Sequence, residues 1–176
     1  VIGAGMAGLL HVQLAARAGA ARVVAVDVNP GRLAMASGLG ADNTLIAGPD
    51  MIERFASLNN GRLAEIVVVA TGAKAAIEQA FSAVDRGGAI LFFAPTDPGV
   101  TIDMPFNDLW RKEITMTSSY AGSPRDIMAA IELISSSRIS VDKMITHRLP
   151  LEKTQEGFGL VAEAGDSIKV VIEPQS

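Results

Sequence analysis

The chain opens with Val1-Ile-Gly-Ala-Gly-Met-Ala-Gly8, in which three glycines fit the spacing G-x-G-x-x-G. The spacing alone is a weak signal, because Gly and Ala are common in this chain. Its context strengthens it. An apolar strand stub precedes the first glycine, a helix begins inside the motif, and Asp27 ends the next apolar run 19 positions after Gly8. The stretch therefore predicts a tight strand-to-helix turn that binds a dinucleotide.

Each glycine of this loop has its own predicted role. Gly3 permits the tight turn, Gly5 leaves room for a pyrophosphate, and Gly8 lets the helix lie close to the sheet. The free N–H groups around Met6 and Ala7 then point at the phosphates, and the helix dipole assists them.

The acidic residue after the second strand bears on the choice of nucleotide. A carboxylate at Asp27 accepts hydrogen bonds from both ribose hydroxyls of adenosine and repels a 2′-phosphate, which favours NAD over NADP. Val28 belongs to the same predicted site. Arg32 has two interpretations, because it either lies beside the adenosine or a 2′-phosphate, or is a solvated helix residue.

Two later runs, Ile66–Ala70 and Ala89–Ala94, are apolar at every position, as is typical of parallel strands covered on both faces. Ligands of doubly wound sheets bind at the carboxyl ends of the strands. Thr71 is a candidate contact to the nicotinamide ribose and also a candidate N-cap, whereas Phe92 is also a candidate core residue. The candidate residues at these later strand ends are Ala70, Thr71, Gly72, Phe92, Ser118 and Tyr120.

The alternation of strands and helices up to Ser118 predicts an α/β fold, a doubly wound (Rossmann) six-stranded parallel sheet with helices on both faces. The pattern changes later in the chain. We therefore predict a NAD-binding Rossmann domain at residues 1–123 and a C-terminal return segment of helices and a strand at residues 124–176. The alternating run Val100–Met104 is predicted to be an edge strand.

Composition excludes several classes of function. The 176 residues are 49% hydrophobic, which excludes disorder, and their net charge of −4 provides no basic face for nucleic acid. No uncharged run reaches the roughly 18 apolar residues that a membrane span needs. Cys is absent, so we expect no thiolate zinc site and no cysteine nucleophile, and we predict a cytoplasmic protein. His11 and His147 have no partner at metal-ligand spacing and are predicted to be structural.

The ordered set of motifs resembles the coenzyme-binding domain of the medium-chain dehydrogenase/reductase superfamily. Those motifs are the opening loop, Val24-Ala-Val-Asp27 with Pro30 and Arg32, Gly40-Ala41-Asp42, Val69-Ala-Thr-Gly72 and Gly87-Gly88. Later segments are similar to the zinc-dependent alcohol dehydrogenases of the sorbitol and threonine dehydrogenase branch: Lys112-Glu-Ile-Thr115, Ser119-Tyr120, Ile145-Thr-His-Arg-Leu-Pro150 and Leu151-Glu152.

The resemblance implies an NAD-dependent alcohol or polyol dehydrogenase. In this family zinc polarises the alcohol oxygen and hydride passes to the nicotinamide. The family's zinc belongs to a preceding catalytic domain, so the resemblance implies a domain fragment that is inactive alone. Its partner would be that N-terminal domain of the same polypeptide, with zinc in the parent enzyme only.

The resemblance also assigns contacts. It places Gly5, Met6 and Ala7 at the pyrophosphate and Asp27 and Arg32 at the adenosine. The nicotinamide half is bordered by Ala70, Thr71, Phe92, Ser118 and Tyr120. Residues 124–176 pack partly against the catalytic domain, and a homodimer forms through the Val100–Met104 edge.

Three other interpretations stay open. A methyltransferase that binds S-adenosylmethionine also uses a Gly-rich loop, but it has an acid before the first glycine, where Val1 and Ile2 stand here. A nucleotide-binding regulatory module without chemistry would share the same loop. A zinc-free quinone reductase of the same superfamily is the third, and the polyol-type motifs near the carboxyl end argue against it.

Overall fold

Side chains cap the start of two helices, Asn29 before Pro30–Gly38 and Ser123 before Pro124–Ser135. A computed structural model of the chain describes residues 1–175. In that range the helices are α1 (Met6–Arg17), α2 (Pro30–Gly38), α3 (Met51–Leu58), α4 (Lys74–Ala83), α5 (Phe106–Arg111), α6 (Pro124–Ser135) and α7 (Thr154–Glu163). The strands are β1 (Val24–Asp27), β2 (Asn43–Ile46), β3 (Ala64–Val69), β4 (Val84–Phe92), β5 (Thr115–Ser118), β6 (Ile145–Pro150) and β7 (Lys169–Glu173). Within residues 1–175 no helix is both long enough and apolar enough to cross a membrane.

The chain divides into two compact units, Val1–Ala121 and Gly122–Ser176. The first unit holds α1 to α5 and β1 to β5, and the second holds the remaining helices and strands. The assignment of residues 1–123 to NAD binding and of 124–176 to a return segment stays a prediction.

All strand pairs of the first unit are parallel. β1 pairs with β2, β3 pairs with β4, and β4 pairs with β5. Ile2 lies between β1 and β3 and makes single bridges to Val26 and to Val69. The Ile2 N–H donates to the Val68 carbonyl, and the Ile2 carbonyl accepts from the Ala70 N–H, at 2.8 Å each. The strands therefore follow the order β2, β1, Ile2, β3, β4, β5.

The prediction of one regular six-stranded sheet is wrong. The first unit contains a two-stranded sheet and a three-stranded sheet, and the isolated bridges of Ile2 connect them. Ile2 makes one bridge on each side, to Val26 and to Val69, and single bridges do not form a regular strand. The broader prediction of an α/β fold with parallel strands and helices is confirmed.

The edge strand predicted at Val100–Met104 is also wrong, because residues 100–104 have no regular secondary structure. The Val100 N–H closes a turn onto the Asp97 carbonyl at 3.2 Å, and Pro105 follows the segment. Proline restricts the residue before it and supplies no N–H to a ladder. The exposed edge of this sheet is instead β5, which pairs with β4 on one side and is exposed at all four positions.

The core of the first unit lies beneath the central strands. Val26, Val67, Val69 and Ile90 of β1, β3 and β4 are at most 3% exposed. The apolar face of α4 packs against the same cluster. Burial explains the apolar residues in the carboxyl-terminal parts of these strands, whereas Ile66, at the start of the apolar run of β3, is 69% exposed.

In the second unit, β6 and β7 form a parallel pair that α7 covers. Gly157 permits the close approach, because an added Cβ there would lie 3.2–3.4 Å from the side chains of Ile172, Val170 and Leu149. Ser123 and Asp126 form a capping box at the start of α6.

Candidate dinucleotide-binding site

The carboxyl ends of the strands form one row along the first unit. The register pairs Val69 with Phe92 and Phe92 with Ser118, while Ile2 bridges Val26 and Val69. The Gly3 turn and Asp27 therefore lie at the same edge of the sheet as Ala70, Phe92 and Ser118. This is the edge at which doubly wound folds bind ligands.

The three glycines of the loop occupy three different environments. Gly3 has φ +94°, in the left-handed region that favours glycine. A Cβ on Gly8 would lie 1.7 Å from the Gly3 carbonyl oxygen, so the helix can approach the turn only with glycine there. A Cβ on Gly5 would meet nothing within 4 Å. Gly5 is also the N-cap of α1 and has no side chain to bond the first N–H groups. The open side of the loop is therefore a place where a ligand oxygen can approach those groups.

Asp27 is tied directly to this loop. Its Oδ2 accepts a hydrogen bond of 2.6 Å from the Ala4 N–H, and its Oδ1 accepts one of 2.8 Å from the Asn29 N–H. The side chain is buried, at 7% exposure. A carboxylate has about four acceptor positions, so two remain for ribose hydroxyls after these backbone contacts.

Asn29 is a residue of this region that the sequence analysis missed. Its side chain is the N-cap of α2 and accepts from the Gly31 N–H at 2.8 Å and the Arg32 N–H at 3.3 Å. The signal was present, because Asn before Pro30 is typical of a helix start. Arg32 is half-buried on the first turn of α2, and Val28 is 77% exposed beside Asp27.

The segment after β3 lies against the loop that follows β4. A Cβ on Gly72 would lie 2.2 Å from the Pro95 carbonyl oxygen. Ala70 and Thr71 are half-buried there, and a Cβ on Gly3 would lie 3.1 Å from the Thr71 Cβ. Thr71 is not the N-cap of α4, because Ala73 is. Its Oγ1 makes only a long 3.4 Å contact with the Ala73 N–H.

The remaining predicted residues lie at the ends of β4 and β5. The Phe92 ring packs edge-on against Phe81 with centroids 6.3 Å apart, and Phe92 borders the core. Ser118 is exposed at the end of β5. The Tyr120 side chain is 98% exposed. The row of strand ends therefore includes Phe92 and Ser118, whereas the Tyr120 side chain extends into solvent.

A separate apolar cleft of about 440 Å³ lies at the opposite, amino-terminal ends of β1 and β3. The amino group of Val1 borders it and donates to the Val24 carbonyl at 2.8 Å. Burial lowers the pKa of this amine from 8.0 to about 6. Because ligands of this fold bind at the carboxyl ends, this cleft is not the candidate site.

Metal ligands do not cluster in the part of the chain that the structure describes. Residues 1–175 contain no group of three His, Asp or Glu side chains close enough to hold an ion, and the sequence has no Cys. The residues present do not fit a zinc site, whereas the glycine loop and Asp27 fit a dinucleotide.

Comparison with known proteins identifies relatives of known class. Residues 7–136 match the family model described as zinc-binding dehydrogenase. An L-threonine 3-dehydrogenase of Bacillus licheniformis is 32% identical, over 99% of this chain and 50% of its own length. A sorbitol dehydrogenase of Bombyx mori is 30% identical, over 100% of this chain and 51% of its own length. The chain thus spans about half the length of the curated relatives it matches.

Solved structures of dehydrogenases share the fold of this chain. A crystal structure of an Escherichia coli oxidoreductase/dehydrogenase of unknown specificity is 34% identical, with a TM-score of 0.88 over 98% of this chain and 49% of that chain. A zinc-binding dehydrogenase from Sinorhizobium meliloti, solved with NADP bound, is 24% identical. Its TM-score is 0.89, and the match covers 98% of this chain and 51% of that chain. At that identity the second likeness shows the fold alone.

Proposed function

The chain belongs to the zinc-binding dehydrogenase family, and from that premise we propose that it forms the cofactor-binding part of an oxidoreductase. The proposed reaction transfers hydride between an alcohol or polyol and NAD. One observation carries the choice of NAD, namely the buried Asp27 carboxylate held at 2.6 Å by the Ala4 N–H of the glycine loop. A fixed negative charge at the adenosine position favours free ribose hydroxyls over a 2′-phosphate.

This chain's own residues bind and orient the cofactor in the proposal. The N–H groups at the start of α1 hold the pyrophosphate, which is close to them because Gly5 has no side chain. Asp27 accepts from the adenosine ribose, and the ends of β3, β4 and β5 border the nicotinamide half. Bound NAD supplies the hydride acceptor of the reaction.

The proposal places zinc and the alcohol on a catalytic domain that pairs with this chain. That domain belongs to the same polypeptide in the proposal, and residues 1–175 hold no metal cluster of their own. We therefore expect the chain by itself to bind cofactor without turning over alcohols. Alcohol-dependent NADH formation by the purified chain would contradict this expectation.

Calorimetric titration with NADH and with NADPH tests the cofactor assignment. We expect NADH to bind more tightly, and Asp27→Asn to weaken NADH about tenfold or more, because a hydrogen bond to a charged group contributes about 1.5–3 kcal/mol. Asp42→Asn is the matched control. Asp42 also accepts from a backbone N–H, that of Val23 at 2.7 Å, but lies at the opposite end of β1.

Two outcomes would overturn parts of this proposal. Equal or tighter binding of NADPH would reject NAD and assign Arg32 to a 2′-phosphate. A loss of NADH affinity in Asp42→Asn as large as in Asp27→Asn would show a general effect on β1 rather than a ribose contact.

A further inference from the structure

His11 lies on the second turn of α1, and the proposed function gives it no role. Its Nδ1 lies 2.8 Å from the Ala7 carbonyl oxygen. A carbonyl oxygen only accepts, so Nδ1 donates its proton in this contact. The hydrogen bond fixes the imidazole ring against the first turn of α1, whose N–H groups are the proposed pyrophosphate donors.

The same imidazole ring contacts an aromatic residue of another element. The rings of His11 and Phe93 are edge-to-face, with centroids 4.5 Å apart and planes 72° apart. Phe93 directly follows β4, and its N–H donates to the Val69 carbonyl of β3 at 3.0 Å. The ring pair therefore links the first turns of α1 to the carboxyl ends of β3 and β4.

This link lies where the two halves of a dinucleotide meet. A doubly wound sheet binds one nucleotide on each half, with the pyrophosphate at the first helix between them. Asp27 lies on the β1 side of that helix, and Phe93 lies on the β3 and β4 side. The helix itself packs against β1 and β3. The ring pair adds a contact between α1 and the end of β4.

We propose that His11 is a positioning residue for the nicotinamide half of the cofactor, which acts by holding Phe93 at the end of β4. The inference rests on the proposed function. Phe93 is 39% exposed, so one part of its ring remains accessible while another is held by His11. Edge-to-face pairs stabilise a fixed ring geometry beyond simple burial.

Titration with two ligands separates positioning from general stability. NADH has both nucleotide halves, and ADP-ribose has the adenosine and pyrophosphate without the nicotinamide. We expect His11→Ala to weaken NADH about tenfold and to leave ADP-ribose within about twofold, the change expected from losing one aromatic contact. Loss of folded protein lowers both affinities equally, so the ratio of the two dissociation constants reports positioning. The matched control is His147→Ala. His147 is the only other histidine of the sequence and lies in the second unit.

A double-mutant cycle tests whether His11 affects NADH binding through Phe93. If His11 acts through Phe93, the NADH affinity of the double variant with His11→Ala and Phe93→Ala equals that of the weaker single variant. Additive losses, or equal losses for NADH and ADP-ribose in His11→Ala, would overturn the inference and leave the proposed function intact. Failure of the unaltered chain to bind either ligand would instead overturn the proposed function, and this inference with it.

Discussion

At the scale of single residues, the glycine loop separates a structural glycine from an open one. Gly8 has no room for a Cβ beside the Gly3 carbonyl, whereas a Cβ on Gly5 would meet open space. We expect Gly8→Ser to lower the free energy of unfolding by about 1–3 kcal/mol, the cost of forcing atoms into a packed region. We expect Gly5→Ser to leave stability within about 0.5 kcal/mol, because serine is a good N-cap, yet to abolish NADH binding.

Urea unfolding and NADH titration of the two variants check this expectation. The same substitution at two sites of one loop makes each variant the control for the other. Stable, tight-binding Gly5→Ser protein would show that the open side of the loop is not where a pyrophosphate lies.

Residue-scale inference from sequence was strongest where a constraint is local. The Gly3 turn and the close approach of the helix at Gly8 follow from the glycine spacing and the residues around it, and the structure contains both. Phe92 shows the opposite case, since an apolar run does not distinguish a core ring from one facing a ligand. His11 was assigned only a structural role because its partner, Phe93, is 82 positions away in the sequence and no local pattern links them.

At the scale of elements, the stub of Val1 and Ile2 joins β1 and β3, and in a chain that begins at Val1 it buries the terminal amine. The pKa of that amine is about 6 in the folded chain and 8.0 ordinarily. Between pH 6 and pH 8 the unfolded chain binds more protons at this amine than the folded chain does. The free energy of unfolding therefore rises with pH in this range. We expect a gain of about 2 kcal/mol from pH 6 to pH 8 for the chain that begins at Val1. Well below pH 6 the amine is protonated in both states, and the full cost of burying its charge lowers the stability of the folded chain.

Urea unfolding across this pH range measures the gain, and acetylation of the Val1 amine provides the control. Acetylation removes the charge, so only the unmodified chain should show this part of the pH dependence. All other ionisable groups are common to the two samples. Identical pH profiles would contradict the assignment of the effect to Val1.

Sequence reasoning about elements failed where pairing is not local. The runs in β3 and β4 were recognised because they are apolar at every position, although Ile66 in the first run is 69% exposed. Continuity of the sheet at Ile2 and the irregular path of residues 100–104 depend on which neighbours are present in space. Alternating hydrophobicity at Val100–Met104 is also compatible with a loop that packs one side chain, and Ile102 borders the core there.

At the scale of the whole molecule, exposed apolar side chains favour self-association. Phe106 and Trp110 lie on one face of α5 and are 64% and 69% exposed. Within residues 1–175, the neighbouring strand β5 pairs with β4 on one side and has no strand on the other. Such edges and patches favour pairing with another copy. The homodimer remains a prediction, but its basis moves from residues 100–104 to this region.

Sedimentation velocity over a dilution series checks whether the chain associates. We expect Phe106→Lys to shift the chain toward monomer, and Phe158→Lys, a similarly exposed position on α7, to leave association unchanged. Trp110 is the only tryptophan, so its fluorescence should shift to shorter wavelength as the unaltered chain associates. Equal dissociation by both variants would exclude α5 as the contact.

The position of Ile2 between two strands also has a mechanical consequence. A pull on the amino end of the chain would be shared between hydrogen bonds to β1 and to β3, because Val1 and Ile2 bond to both. These bonds lie across the direction of the strand, so the load shears several of them together instead of peeling them one by one. Tension applied at Val1 would therefore reach the Gly3 turn and the first helix only after these bonds break.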